Sequence, residues 1–68
     1  MTLIHLSAHK FTSCDPTIDR TPVEAACGSP EGYTARWGSA DGCIPYAAMH
    51  PDFHCYACIV AIRKQVYS

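Results

Sequence analysis

Two cysteines with two residues between them, Cys55 and Cys58, stand at the start of a C-terminal stretch that contains neither glycine nor proline. This spacing lets both sulfurs reach one metal ion, at about 2.3 Å each for zinc. Free backbone N–H groups at a helix start can donate to thiolates, and the positive end of the helix dipole lowers their pKa. The pair therefore predicts two metal ligands at the beginning of a helix.

The length of the chain explains why such a site would matter. A chain of 68 residues is predicted to form one domain, residues 1–68, near the lower size limit for folding on a hydrophobic core alone. Disulfides, a metal or a partner subunit can supply the missing stability. A thioredoxin-like redox site shares the Cys-x-x-Cys spacing but needs a much longer βαβ chain.

The choice between metal and disulfides depends on the compartment. Residues 1–13 contain no apolar run long enough for a signal peptide, and no stretch approaches the ~20 apolar residues of a membrane span. We therefore expect a cytoplasmic protein with reduced thiols, in which Cys14 and Cys43 are packed or free. The odd number of cysteines, five, also fits a complete disulfide framework poorly. A Cys14–Cys43 disulfide is the alternative if the compartment differs.

Hydrophobic patterning predicts a small α+β domain stapled by metal, with short antiparallel strands and one C-terminal helix, similar to zinc fingers and treble clefs. Ile59, Ile62 and Val66 lie on one side of a helix that is expected from Cys55 to about Tyr67. Turn-forming residues separate the β-prone stretches. The predicted strands are residues 2–6, 22–27 and 33–37, the loops are 12–21, 28–32 and 38–54, and a short helical turn is expected at 46–49.

Two further ligands are needed to complete a structural site. Cys27 is the predicted third ligand because the following Gly28 lets the chain turn and direct amides at the sulfur. A buried cysteine at the end of a strand is the other interpretation. His5 is favoured as the fourth ligand, since its strand neighbours would face the other way. The open alternatives for that fourth position are His9, Cys14, His54 and Cys43.

Three motifs carry a family resemblance: His5-Leu6, Cys27-Gly28 and Phe53-His54-Cys55-x-x-Cys58-Ile59. Their pattern resembles that of small uncharacterised zinc-finger or zinc-ribbon-like proteins of actinobacteria and their phages. The resemblance spans nearly the whole chain but depends on few positions, and residues 10–20 and 39–49 look like insertions. It implies one structural Zn²⁺ held by His5, Cys27, Cys55 and Cys58, and a bacterial cytoplasm, or a host cytoplasm if a phage encodes the chain.

Neither catalysis nor nucleic-acid binding is the favoured function. Four good donors leave no open coordination position for water, and no glutamate follows a histidine at the spacing of zinc deaminases. We therefore expect no enzyme. A nucleic-acid module is the alternative, because Tyr33 and Trp37 flank Arg36 and could stack on bases. A formal net charge of −1 lacks the expected basic footprint, and a core position is the favoured interpretation for both aromatic residues.

The irregular residues 38–54 indicate a protein-interaction module instead. This stretch carries more large apolar side chains than a solvated loop needs, namely Ile44, Tyr46, Met49 and Phe53. Some must complete the core, and any that stay exposed would form an interface with another protein or a second copy of the chain. The partner itself is not identified by any motif.

Overall fold

The computed structural model describes residues 3–15, 23–30 and 33–67. Its elements are β1 (His5–Leu6), β2 (Thr34–Ala35), a 3-10 turn (Tyr46–Ala48) and α1 (Tyr56–Val66). The predicted helical turn and C-terminal helix are therefore confirmed, while the regular strands are shorter than predicted. Parts of the predicted first and second strands and of the loops 12–21 and 28–32 lie outside the described residues.

The two strands run parallel, with His5 opposite Thr34 and Leu6 opposite Ala35. The predicted antiparallel arrangement is wrong for this pair. Among the described residues, antiparallel pairing is limited to the isolated bridge between Ser7 and the segment 24–26.

The parallel pairing of β1 and β2 reflects the position of the segment 24–26. Instead of forming a hairpin with β2, it pairs with the opposite edge of β1, where the Ala26 N–H donates to the Leu6 carbonyl oxygen at 2.8 Å. In the sequence, the stretch between Cys27 and Tyr33 is five residues long, longer than the two-residue loops most common in hairpins. Register is weakly specified in strands this short. Tertiary packing therefore decides which edges meet.

A third segment completes the surroundings of β1. Residues 53–55 approach it before the helix begins, with the Ile4 N–H donating to the Phe53 carbonyl oxygen at 3.0 Å and the Cys55 N–H donating to the Ile4 carbonyl oxygen at 2.8 Å. The segment around β1 is therefore the centre of the fold, and three other parts of the chain are hydrogen-bonded to it.

The core lies between this central segment and α1. Trp37 is only 2% exposed, and its Nε1–H donates to the Ser7 carbonyl oxygen at 2.8 Å. Ile59 and Ile62 are buried as the helical pattern predicts, whereas Val66 is 44% exposed because the small core ends one turn earlier. The buried apolar residues are Leu6, Ala25, Ala35, Trp37, Cys58, Ile59 and Ile62.

A disulfide joins Cys14 to Cys43, with Cα atoms 5.4 Å apart. The prediction that these cysteines are packed or free thiols is wrong. Phe11 pairs with Gly38 nearby, where a Cβ would collide with the Phe11 carbonyl oxygen. Among the helices in the described ranges, none is long and apolar enough to cross a membrane.

Candidate metal centre

Four side chains from three parts of the chain meet beside β1. The ligand atoms of His5, Cys27, Cys55 and Cys58, hereafter the ligand cluster, all lie within 4.8 Å of one another. His5 belongs to β1, Cys27 follows the segment 24–26, and the last two flank the start of α1. These are the four residues that the sequence predicts as ligands, and their arrangement could hold a metal ion.

Distances within the ligand cluster fit a tetrahedral ion. Nδ1 of His5 lies 3.4 Å from the Cys27 Sγ and 3.7 Å from the Cys58 Sγ. Bond lengths of about 2.3 Å to sulfur and 2.0–2.1 Å to nitrogen place these atoms about 3.6 Å apart around tetrahedral zinc. The nitrogen that faces the two sulfurs is Nδ1, so this atom is the histidine donor that the geometry offers.

A tight turn presents Cys27 to the ligand cluster. The Gly28 N–H donates to the Ala25 carbonyl oxygen at 2.9 Å, and Gly28 has a φ of 80°. This backbone conformation favours glycine, although a Cβ at this position would meet nothing within 4 Å. Gly28 is therefore required for the shape of the turn rather than for space, as the Cys-Gly motif predicts.

The start of α1 brings the other two cysteines to the same place. Cys55 occupies the N-cap position, and Cys58 lies in the first turn. Residues three apart in a helix share one side, so both sulfurs face β1. The hydrogen bond from the Cys55 N–H to the Ile4 carbonyl oxygen, 2.8 Å long, holds this end of the helix against the central segment.

The helix start also changes the acidity of Cys55. Burial alone would raise the pKa of this thiol, but the backbone N–H groups of Cys58 and Ala57, together with the thiols of Cys58 and Cys27, lower the pKa below its ordinary value. Donors at a helix start stabilise the negative charge of a thiolate. Cys55 is thereby prepared to act as a charged ligand.

Cys58 lies in a contrasting environment. Burial raises the pKa of its thiol to about 11, against the influence of the backbone N–H groups of Leu6 and Cys27, which lower it. Leu6 sits between the two segments that pair with this edge of β1, so its N–H faces the sulfur. A buried thiolate here needs a positive charge beside it, and a bound cation would provide that charge.

The ligand cluster is closed on one side and open on the other. Cys58 is 0% exposed, while Cys55 is half-buried and Cys27 is exposed. An ion held by these residues would therefore be covered by the core behind Cys58 and reached by solvent near Cys27.

The alternative ligands lie elsewhere. His9 is exposed, and Cys14 and Cys43 are joined in the disulfide. His54 is buried, and its Nδ1 accepts a hydrogen bond from the His50 N–H at 3.1 Å. The cluster is the one group of potential ligands that the described residues bring together, so the choice of His5 as fourth donor agrees with the geometry.

Comparison of the chain with protein-family models, curated proteins and solved structures finds no match. The fold and the ligand cluster by themselves define a small compact domain with two parallel strands, one C-terminal helix and a His-Cys₃ cluster that could hold a metal ion. The resemblance to phage and actinobacterial zinc-finger proteins stays a prediction.

Proposed function

We propose that the protein is a small zinc-binding domain in which His5, Cys27, Cys55 and Cys58 hold one structural Zn²⁺. The observation that carries the proposal is the meeting of four donor atoms within 4.8 Å. Three sulfurs and one imidazole nitrogen suit tetrahedral zinc, whereas magnesium and calcium prefer oxygen ligands. Thiolates also bind copper(I) and iron, so the experiment must identify the bound metal by its mass.

The proposed ion has a structural role because of what it joins. It would connect β1, the turn at Cys27 and the start of α1. Within the part of the chain that the structure describes, these are otherwise held by backbone hydrogen bonds and a core of seven buried apolar residues. Binding energies of structural zinc in small peptides are roughly 10–16 kcal/mol and act as folding energy. That amount exceeds the net stability that a core of this size supplies.

The same donor set supports the proposal that the role is non-catalytic. Catalytic zinc keeps an open position for water or substrate, and structural zinc is closed by four protein ligands. All four donors of the ligand cluster lie together, and the fully buried Cys58 places the core directly behind them.

The wider role that we propose is a protein-interaction module. Several large apolar side chains are exposed, among them Phe53, Tyr56 and Tyr67 at 64%, 62% and 73%. Exposed aromatic residues are typical of protein interfaces. A more specific form of this proposal is that a phage encodes the protein and that it binds a host protein. This form rests on the family resemblance alone. The Cys14–Cys43 disulfide is more typical of oxidising compartments, so the proposal names no compartment.

Nucleic-acid binding is less well supported by the same structure. Trp37, one of the predicted stacking residues, is buried, and its indole N–H is occupied by the Ser7 carbonyl oxygen. Arg36 lies over the Phe11 ring, 5.1 Å from its centre. Tyr33 is exposed, but a chain of net charge −1 offers little overall attraction for a polyanion.

Two binding measurements separate these roles. In the first, zinc-loaded protein is cross-linked alone and in a bacterial extract treated with nuclease, and cross-linked products are identified by mass spectrometry. In the second, mobility shifts are measured with duplex DNA and single-stranded RNA at moderate salt. We expect a specific protein product, either heteromeric or a dimer, and no shift. A strong shift without any protein product would defeat the interaction role and leave the zinc site unaffected.

A further inference from the structure

A groove of about 320 Å³ separates the 3-10 turn from α1. Tyr46, Met49 and Pro51 line it on one side, and Tyr56, Ile59 and Arg63 line it on the helix side. Ile59 is 8% exposed and belongs to the core, whereas Tyr56 is 62% exposed. The helix groove therefore has an apolar floor that is continuous with the core, and walls that reach solvent.

The residue types of the helix groove are those of binding hot spots. Tyrosine and arginine dominate the energetics of protein interfaces, and interface cores are also rich in methionine. Met49 packs against the core, and its flexible side chain can adapt to the shape of an inserted group. Tyr46 makes an edge-on contact with Tyr67, with ring centres 6.0 Å apart, which supports one wall of the groove.

The charged side chains at the helix groove are positive. Arg63 stands at its rim and Lys64 is the next residue on the exposed helix face. No carboxylate lines the groove. The nearby Asp52 faces His50 instead, with Nδ1 and Oδ2 3.5 Å apart. Arg63 and Lys64 are both exposed, so an acidic group on a partner would complement their charge.

We propose that the helix groove docks a segment of another protein that presents a large apolar side chain beside an aspartate or glutamate. The apolar side chain would lie on Ile59 and Met49, and the carboxylate would pair with Arg63. The volume is at the small end of ligand pockets, which suits one or two side chains. This inference rests on the proposed interaction role and names the surface and the partner chemistry for it.

A nucleic acid is the competing occupant, with a phosphate on Arg63 and a base on Tyr56. The observations favour a peptide for two reasons. The floor of the groove consists of aliphatic and thioether groups rather than a flat aromatic platform. In addition, two adjacent cations in a chain of net charge −1 provide little attraction for a polyanion.

The test uses a phage-displayed library of random linear peptides, selected on the zinc-loaded protein. Enriched peptides are then synthesised in pairs, one acidic and one with the amide in place of the carboxylate, and their dissociation constants are measured. We expect enriched peptides to share an acidic residue beside a large apolar one. Loss of the carboxylate, or Arg63→Glu in the protein, should weaken binding at least about tenfold.

Lys10→Glu is the matched control, since it makes the same charge change at an exposed position away from the helix groove. It should change the affinity by less than about twofold. Zinc content and circular dichroism of both variants exclude misfolding. Peptides that bind Arg63→Glu as tightly as the unchanged protein would overturn the groove assignment while preserving the interaction role. A selection that enriches no peptide would also overturn the groove assignment. DNA binding that is abolished by Arg63→Glu would overturn both the groove assignment and the interaction role.

Discussion

Nδ1 of His5 lies 3.7 Å from the buried sulfur of Cys58, although the two residues belong to opposite ends of the chain. A thiol and an imidazole form only a weak hydrogen bond at this distance, whereas a metal ion between them could bind both. Cys27 and Cys55 reach the same point from two other segments. On the proposed function, an ion at this point would stabilise strands of only two residues each.

Replacement of Cys27 by serine should damage the protein far more than replacement of Cys14. Loss of a zinc ligand removes a large part of a binding energy of roughly 10–16 kcal/mol, whereas a disulfide usually contributes about 2–4 kcal/mol. Urea unfolding with saturating zinc measures the difference. Equal losses for Cys27→Ser and Cys14→Ser would mean that Cys27 is not a ligand.

Substitutions of histidine test the fourth donor. His5→Ala should lower zinc affinity by more than about 100-fold, since even residues that only orient a ligand contribute 10–100-fold. His5→Cys should restore binding through a fourth thiolate. His9→Ala is the control, because His9 is exposed and outside the ligand cluster. Competition with a chromophoric chelator gives the affinities, and an unchanged affinity in His5→Ala would exclude this residue.

Trp37 should be essential for stability rather than for binding. Trp37→Phe removes the donor to the buried Ser7 carbonyl oxygen and leaves a cavity, so we expect a loss of about 2 kcal/mol or more. Tyr33→Phe, at a position 73% exposed, should change stability by less than about 0.5 kcal/mol. Urea unfolding followed by circular dichroism compares them, and similar stabilities would place Trp37 outside the core.

Zinc affinity should fall as the pH is lowered, because the ion binds thiolates and must displace protons. Burial raises the pKa of the Cys58 thiol to about 11, so without metal this thiol is protonated at neutral pH. At least about one proton should therefore be released per ion, which makes affinity rise about tenfold per pH unit. Chelator competition at several pH values measures the slope, and a flat profile would contradict thiolate binding.

The same raised pKa gives the opposite pH dependence without metal. A thiol whose pKa is higher in the folded state contributes stability below its ordinary pKa of 9.0, and that contribution is lost as the pH rises toward about 11. Alkaline solution should therefore not refold the metal-free chain. Circular dichroism in the presence of a chelator, recorded at pH values below and above this range, measures whether ordered structure changes with pH and in which direction. A gain of ordered structure at high pH would contradict it.

Much of the site is readable from the sequence because its signals are local. Cys55 and Cys58 open an uninterrupted helical pattern, and Gly28 marks the turn that presents Cys27. The alternation of side chains along a strand favours His5 as the fourth donor, although His9, Cys14, His54 and Cys43 stay open alternatives in the sequence. These signals depend on neighbouring residues, and the structure brings all four side chains together.

The features that the sequence did not predict are non-local. Parallel pairing of β1 with β2 depends on the segment 24–26 occupying the other edge, which no turn motif encodes. The Cys14–Cys43 disulfide joins residues 29 positions apart in the sequence, and no local motif indicates that these two cysteines meet. The role of the Leu6 N–H beside Cys58 is likewise invisible in the sequence, because it belongs to the backbone.

Native mass spectrometry combined with metal removal tests the central claim most directly. The account predicts a dominant species of one chain with one Zn²⁺, and loss of the helical circular dichroism signal when a strong chelator removes the ion, with recovery on adding zinc back. A chain that carries no metal when purified with zinc present, or a metal-free chain that still unfolds cooperatively, would contradict it.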